Sequence, residues 1–388
     1  MKRREFIRTS SLVAAALWSQ QLAFGQNFTR TEKFRAAIIG HTGRGDYGHG
    51  LDLVFNDFDQ ILVVAVADPE EKGREQARQR SKALRQYAGY REMLKSELPQ
   101  LVCVAPRCSD QHLAMAKAAM AGGAHIYAEK PFTQTLAEAD DLLEISKELG
   151  LKMAVAHQVR LSPGVVQLKQ EIVRGLIGEL VQIRSWGKQD KRAGGEDLVV
   201  LGTHIFDLMR LFAGDPISCR AEVWDKGEAI GKQHAREATE SVGPVAGDEI
   251  EAQFTFPKQV SATFTSRARL RDTRGPWAVE LIGTKGIARI MMDVDPKIYI
   301  LKSERLSDSG KTEAWQRFDK PAETGFAAAN RRVVEDWLRA IEEKREAACS
   351  GYNGMKALEM VMAVYESALN RSTALFPLRN RQHPLAKF

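Results

Sequence analysis

Lys130 closes the run Ala124-His-Ile-Tyr-Ala-Glu-Lys-Pro131, where an apolar strand gives way to a carboxylate, an ammonium and a proline. An alcohol that gives up hydride must also lose its hydroxyl proton. An ammonium desolvated beside a redox cofactor has a lowered pKa and can exchange that proton. Pro131 fixes the backbone directly after it. A second constellation is GGEDLVVLGTHIFD, Gly194 to Asp207, which carries His204. Alone on an apolar helix His204 reads as a core histidine, and its pairing with Lys130 makes it a catalytic candidate. Asp207 reads as structural. The third stretch is RAAIIGHTGRGDYGHG, residues 35 to 50. A strand, a glycine turn and a helix N-terminus leave backbone N–H groups aimed at one spot, with the positive end of the helix dipole behind them, and a dinucleotide pyrophosphate fits there. The pattern G-x-G-x-x-G laid on Gly40 is met at Gly45 but finds Thr42 in second place, with Gly43 one position late and Arg44 after it. Thr42 shifts the phosphate approach or substitutes a hydroxyl contact.

Those side chains need strands that end beside one another. Ala36–Ile39 reads as a buried parallel strand, followed by a helix with Leu51, Val54 and Phe55 on one face. Ile61–Ala67 ends at Asp68, 28 residues beyond Gly40. A carboxylate there can hold both ribose hydroxyls of NAD and would repel the extra phosphate of NADP. An Asp68-Pro69 turn is the competing reading, and Arg44, Lys72 and Arg74 keep NADP open. A charged helix over Glu70–Leu84 and a helical stretch near Arg91–Lys95 follow. Leu101–Ala105 is another buried strand closed by Pro106, and the helix behind it carries His112 and ends at Gly122-Gly123. The next strand delivers Glu129 and Lys130 to its carboxyl end, where ligands bind in such sheets. Lys152–Ala156 is the last strand, followed by His157, Gln158 and Arg160. Arg160 can hold sugar hydroxyls or a carboxylate, or make a structural salt bridge.

A helix over Pro163–Arg174 leads to a new sheet that opens with Glu179–Trp186, with Trp186 and Lys188 at its end as candidate sugar contacts and core packing the favoured reading of Trp186. From Ile217 onward the chain alternates as antiparallel strands do, with Ile250, Ala252, Phe254 and Phe256 on one face and Glu249, Glu251 and Gln253 on the other. The polar stretch 227–247 is long enough for a lid or a partner contact. Two amphipathic helices, Asn330–Arg345 and Asn353–Asn370, close the chain.

With 388 residues, 44% of them hydrophobic and 27% charged, the chain is globular and too long for one ordinary core. Its beginning is different. Met1-Lys-Arg-Arg-Glu-Phe-Ile-Arg8 is basic, the segment from Leu12 to Phe24 is mildly apolar, and Ala23-Phe24-Gly25 offers small residues for cleavage. Arg3-Arg4 before Glu5-Phe6-Ile7 is the signature of twin-arginine export to the periplasm. The apolar part is too short to remain as a membrane span. Export of an already folded protein suits a tightly held cofactor. Loss of the leader removes four cations against one anion, taking the net charge from +6 to +3, which is no nucleic-acid footprint. Cys103, Cys108, Cys219 and Cys349 show no C-x-x-C spacing, so neither a disulfide framework nor a metal site is expected.

The chain resembles the Gfo/Idh/MocA family (glucose-fructose oxidoreductase, inositol dehydrogenase and relatives) over nearly all of the mature sequence. The residues that carry the resemblance are Ala105-Pro106 with His112, the run Ala121-Gly122-x-x-His125-Ile-Tyr-Ala-Glu129-Lys130-Pro131, and Glu280-Leu-Ile-Gly-Thr-Lys-Gly286. The resemblance implies an α/β protein: a doubly wound Rossmann domain over 34–156 after a leader at 1–25, then an α+β domain over 157–388 on a large, mainly antiparallel open sheet. It implies that Lys130 is the catalytic lysine, that Pro106, His112 and Glu129 belong to the cofactor site, and that His157 to Arg160 line the substrate pocket. A tightly bound NAD or NADP, a sugar-like small molecule as substrate and a homo-oligomer formed through the open sheet face also follow from it. The family usually places an aspartate four residues before its histidine, and that position is Val200. Asp197, one turn earlier, can reach in instead. Three functions stay open: an oxidoreductase acting on a sugar or polyol hydroxyl, a hydrolase or lyase that oxidises transiently and eliminates, and a sugar-binding relative without turnover.

Overall fold

The structure is a computed structural model that describes residues 33–270, 277–302, 314–318 and 322–386. The leader, and with it the export signature, lies outside the described residues. Among the described residues, six short strands, all but β3 largely buried, form the first sheet: β1 (Phe34–Ile39), β2 (Ile61–Ala67), β3 (Arg85–Tyr87), β4 (Leu101–Val104), β5 (His125–Ala128) and β6 (Met153–Val155). They run in the order β3-β2-β1-β4-β5-β6 with every pair parallel. This is the doubly wound order, and its crevice lies at the carboxyl ends of β1 and β4, where the winding reverses. Helices Glu71–Ser81, Tyr90–Glu97, His112–Ala121 and Leu136–Leu149 cover the sheet. The last is opened by a capping box between Thr135 and Glu138.

One expected element is missing. After β1 the chain makes a series of turns and a single 3-10 turn at Leu51–Leu53, with no α-helix. Gly43, Gly45, Gly48 and Gly50 all adopt positive φ, which interrupts any helix before its first turn is complete. Leu51, Val54 and Phe55 are nevertheless buried, so the apolar periodicity reported burial correctly and secondary structure wrongly. β3 was not legible because two of its three residues are exposed.

The second sheet has ten strands among the described residues. β7 (Leu180–Trp186) runs parallel to Ser261–Arg267 on one side and antiparallel to Ala278–Gly283 on the other. The remaining pairings are antiparallel and extend through Glu249–Thr255 to β8 (Ser218–Asp225), and through Gly286–Met291 to Lys297–Lys302. The alternation forecast for Glu249–Thr255 holds, with Ile250, Ala252 and Phe254 buried and Glu251 and Gln253 exposed. Helices Gly202–Ala213 and Gly351–Asn370 cover the inner face. Helix Gly325–Glu342 crosses back to the first sheet, where Trp337 Nε1 donates to the Lys152 carbonyl and Asn330 Oδ1 accepts from Tyr127.

Candidate active site

Lys130 sits one residue beyond Glu129 at the carboxyl end of β5 and is joined to Pro131 by a cis peptide. It is 4% exposed, and its Nζ donates to the backbone carbonyl of Val200 at 3.1 Å. Burial lowers its pKa. The charges of Glu129 and Glu240 oppose that shift, and those of Arg192 and Arg107 add to it. The hydrogen-bond partner of the lysine is thus a neutral backbone carbonyl, and burial leads in lowering the lysine pKa. That raises the fraction of free amine at neutral pH, which a group that must accept a hydroxyl proton needs.

The lysine opens on a cavity of about 230 Å³ that His204, Lys188, Gln158, Arg107, Trp277 and Glu240 help to line. His204 stands on helix Gly202–Ala213 with its ring in edge contact with Trp277, 6.0 Å between centroids. Burial and the nearby Lys130 and His157 hold it well below the usual histidine pKa, so it is a neutral imidazole. His49 also borders the cavity. It is held by the fully buried Glu129 at 2.7 Å and lies against the ring of Phe326. Burial pushes the Glu129 carboxyl up, but His49, Lys130 and His112 together leave it below its ordinary range.

The other proposed cofactor residues surround the crevice. His112 places its ring nitrogens against the Pro106 carbonyl at 2.7 Å and the Phe132 carbonyl at 3.1 Å. It ties together the loops that carry Arg107 and Lys130. Thr42 turns away from the crevice, and its hydroxyl and N–H both go to Asp68 Oδ2, at 2.8 and 3.0 Å. Asp68 Oδ1 accepts from the Glu70 N–H. Asp68 is thus fully buried and latches the glycine loop while its residue borders a hollow of about 270 Å³, lined with Gly40, Ala67, Pro69 and Tyr90. Gly40 is required because a Cβ would meet the Tyr47 ring at 2.1 Å, and Gly45 because one would meet the Arg107 and Cys108 nitrogens at 2.4 Å. The N–H groups of Gly40, His41, Thr42, Gly43, Arg44 and Asp46 already have partners within the protein. Without a helix behind it, the loop is not the dipole-backed row of free donors that the sequence suggested. The cations at this edge are Arg107 and Arg44, the latter paired with Asp110.

Four of the proposed substrate residues are placed elsewhere. Arg160 grips Asp207 through two nitrogens at 2.7 to 3.1 Å, a buried salt bridge outside the cavity lining. Asp197 accepts from the N–H groups of Lys188 and Gln189 and from Ser266 Oγ, so it anchors the segment after β7 and does not reach the cavity. Trp186 follows the buried Ser185 and therefore lies on the outer face of the sheet. Trp277 is the tryptophan of the site. His157 stands behind His204, 5.3 Å between centroids. Arg192 and Glu240, paired at 3.0 Å on the rim, were missed. Glu240 lies in the polar stretch 227–247, which is fastened to Glu196 through Thr239 and Arg236, and only the tertiary structure brings it here.

Residues 34–157 match the model of an oxidoreductase family with an NAD-binding Rossmann fold, and residues 166–375 match that family's C-terminal alpha/beta domain. The chain belongs to the Gfo/Idh/MocA oxidoreductase family. D-apiose dehydrogenase of Paraburkholderia graminis is 25% identical over 351 residues, covering 88% of this chain and 89% of that protein. Levoglucosan dehydrogenase of Pseudarthrobacter phenanthrenivorans is 24% identical over 298 residues, covering 67% of this chain and 76% of that protein. A solved levoglucosan dehydrogenase in complex with NADH and L-sorbose superposes with a TM-score of 0.74 over 90% of this chain and all of its own, at 19% identity. The Rossmann domain of this member is thus an NAD-binding domain. The hollow bordered by Gly40 and Asp68 lies at the carboxyl end of β1, at the β1–β4 switch point where sheets of this order bind their ligands.

Proposed function

We propose that the protein transfers hydride between a nicotinamide dinucleotide and a hydroxyl-bearing carbon of a sugar, cyclitol or related polyol. The observation that carries this reading is Lys130, a buried amine with a neutral carbonyl partner that faces a polar cavity beside the neutral His204. The dinucleotide supplies the hydride acceptor when bound. Lys130 takes the hydroxyl proton as the carbonyl forms and returns it in the reverse direction. The Arg192–Glu240 pair and Lys188 present donors and an acceptor suited to the remaining hydroxyls. Dehydrogenases of D-apiose and levoglucosan among the relatives support a carbohydrate-like substrate.

NAD is favoured over NADP because, among the described residues, no cation pairs with the Asp68 carboxylate beside the hollow to offset repulsion of a second phosphate, and Arg74 bonds the backbone carbonyls of Asp68 and Pro69. Arg3-Arg4 and the short apolar stretch behind them support twin-arginine export to the periplasm and tight retention of the cofactor. The outer sheet face, which carries the exposed Arg220, Glu222, Glu251 and Gln253 and is covered by no helix among the described residues, supports a homo-oligomer formed through it. The test of function is a screen of aldoses, ketoses and cyclitols for reduction of protein-bound NAD. Loss of turnover in Lys130→Met with nucleotide binding retained is expected. Nucleotide binding with no redox change from any of these compounds would defeat the reading.

A further inference from the structure

Behind His204 lies a set of groups with no structural explanation. His157 is 2% exposed and neither of its ring nitrogens has a hydrogen-bond partner, and the Nδ1 of His204 is buried and unpartnered as well. Buried polar atoms in native proteins are nearly always satisfied, so three orphaned nitrogens in two touching rings call for a reason. The rings meet edge-on, at 70°. On the far side of His157, Nδ1 is 4.0 Å from Asp207 Oδ1, and Asp207 is held rigidly by Arg160. The groups whose charges act on His157 are Asp207, Arg160, Lys130 and Glu129, and those acting on His204 are His157, Lys130 and His49. Burial leads in keeping both rings neutral, pulling His157 down to about 4.

We infer that Arg160, Asp207, His157 and His204 form an array in which His157 is a positioning residue that sets the tautomer of His204, doing the orienting work that the valine at 200 cannot. This rests on the reading of the cavity as the catalytic site. The direction of the array follows from the donor and acceptor inventory. Asp207 as a carboxylate only accepts, so Nδ1 of His157 carries the hydrogen once a small ring rotation closes the 4.0 Å gap. A neutral His157 then has a bare Nε2, and the same rotation must also bring it within reach of Nδ1–H of His204, since neither atom has a partner in the resting arrangement. That leaves His204 with a bare Nε2, the one nitrogen of the pair that is not enclosed. His204 therefore meets the substrate as a hydrogen-bond acceptor, and Lys130 is the cationic donor when protonated.

Nitrogen-15 NMR of the histidine rings reads the tautomer directly and needs neither cofactor nor turnover. In the full chain at neutral pH, the His204 signals, assigned by their loss in His204→Gln, are expected to show Nδ1 protonated and Nε2 bare. His157→Phe keeps the packing but breaks the connection, and should convert His204 to a mixture or to the Nε2–H form. His157→Gln, which can donate to Asp207 and accept from His204, should restore it. In turnover, His157→Phe should lower kcat about 10²-fold with KM nearly unchanged, and His157→Gln should recover most of the loss. A wild-type His204 that is protonated or carries its hydrogen on Nε2 overturns the inference, as does a tautomer indifferent to His157→Phe. The expected tautomer in a protein that oxidises no polyol would instead sink the functional reading and leave the array standing.

Discussion

Replacing Lys130 with methionine separates the catalytic reading from a structural one, because the two predict opposite balances of activity and stability. The ammonium is 4% exposed and donates to a neutral carbonyl, so the fold bears most of its desolvation cost, which for a buried ion amounts to several kcal/mol before compensation. Glu129 offsets part of it, yet the net direction of the Lys130 pKa is downward, so the protonated form is disfavoured in the folded protein. Methionine fills a similar volume without that cost, and Glu129 keeps its contact with His49. The urea midpoint of Lys130→Met should therefore equal or exceed that of the wild type. Turnover should fall about 10²- to 10⁴-fold, the usual worth of a positioned proton donor and acceptor, equivalent to roughly 3–5 kcal/mol at 1.36 kcal/mol per tenfold. Nucleotide affinity, read by fluorescence titration of the reduced form, should not change. A variant that turns over normally, or that loses stability as well as activity, would refute the reasoning.

Oxidation by the wild type should rise with pH as Lys130 loses its proton, with a kcat/KM inflection below the ordinary lysine value of about 10.4, and a flat profile would contradict it. His157 binds its proton less readily folded, at about 4, than unfolded, at 6.5. Its contribution is thus present above 6.5 and is lost as pH falls through that interval, worth about 3 kcal/mol at most. Urea melts from pH 7 to 4 should show that loss, and His157→Gln should flatten it. Arg160→Met leaves Asp207 buried without its partner and should cost about 3–5 kcal/mol, while Arg160→Met with Asp207→Leu should recover much of it. Gly45→Ala, at φ 89° and with a Cβ 2.4 Å from two backbone nitrogens, should cost about 1–3 kcal/mol and weaken nucleotide binding by moving Arg107, both measurable by melts and titration.

The legible part of the protein was the part in which local pattern and tertiary role coincide. β1, β2, β4, β5 and β6 could be read because buried parallel strands are continuous apolar runs, and Lys130 because it ends one of them. The glycine loop could not be read correctly, since glycine spacing says nothing about whether loop N–H groups face outward or find partners inside. In this chain Thr42 and Asp68 bond one another, and Asp46 caps Gly43. Arg160, Asp197 and Trp186 have residue types that suit sugar binding, but types do not report direction, and each was turned aside by a local constraint: a buried carboxylate, two backbone N–H groups, and the pleat of β7. Arg192, Glu240 and Trp277 reach the cavity from distant segments. For Glu240 the signal lies in the packing of stretch 227–247 onto Glu196, which no single window of sequence contains.

The most direct measurement is redox state at the bound nucleotide. The purified protein is loaded with NAD, freed of excess, and exposed in turn to aldoses, cyclitols and glycosides while the near-ultraviolet absorbance of reduced nicotinamide is followed. Appearance of that absorbance with a sugar or cyclitol, and its absence in Lys130→Met, is the result expected here. A protein that retains no nucleotide, or that releases an aglycone from a glycoside with no net reduction, would contradict the account.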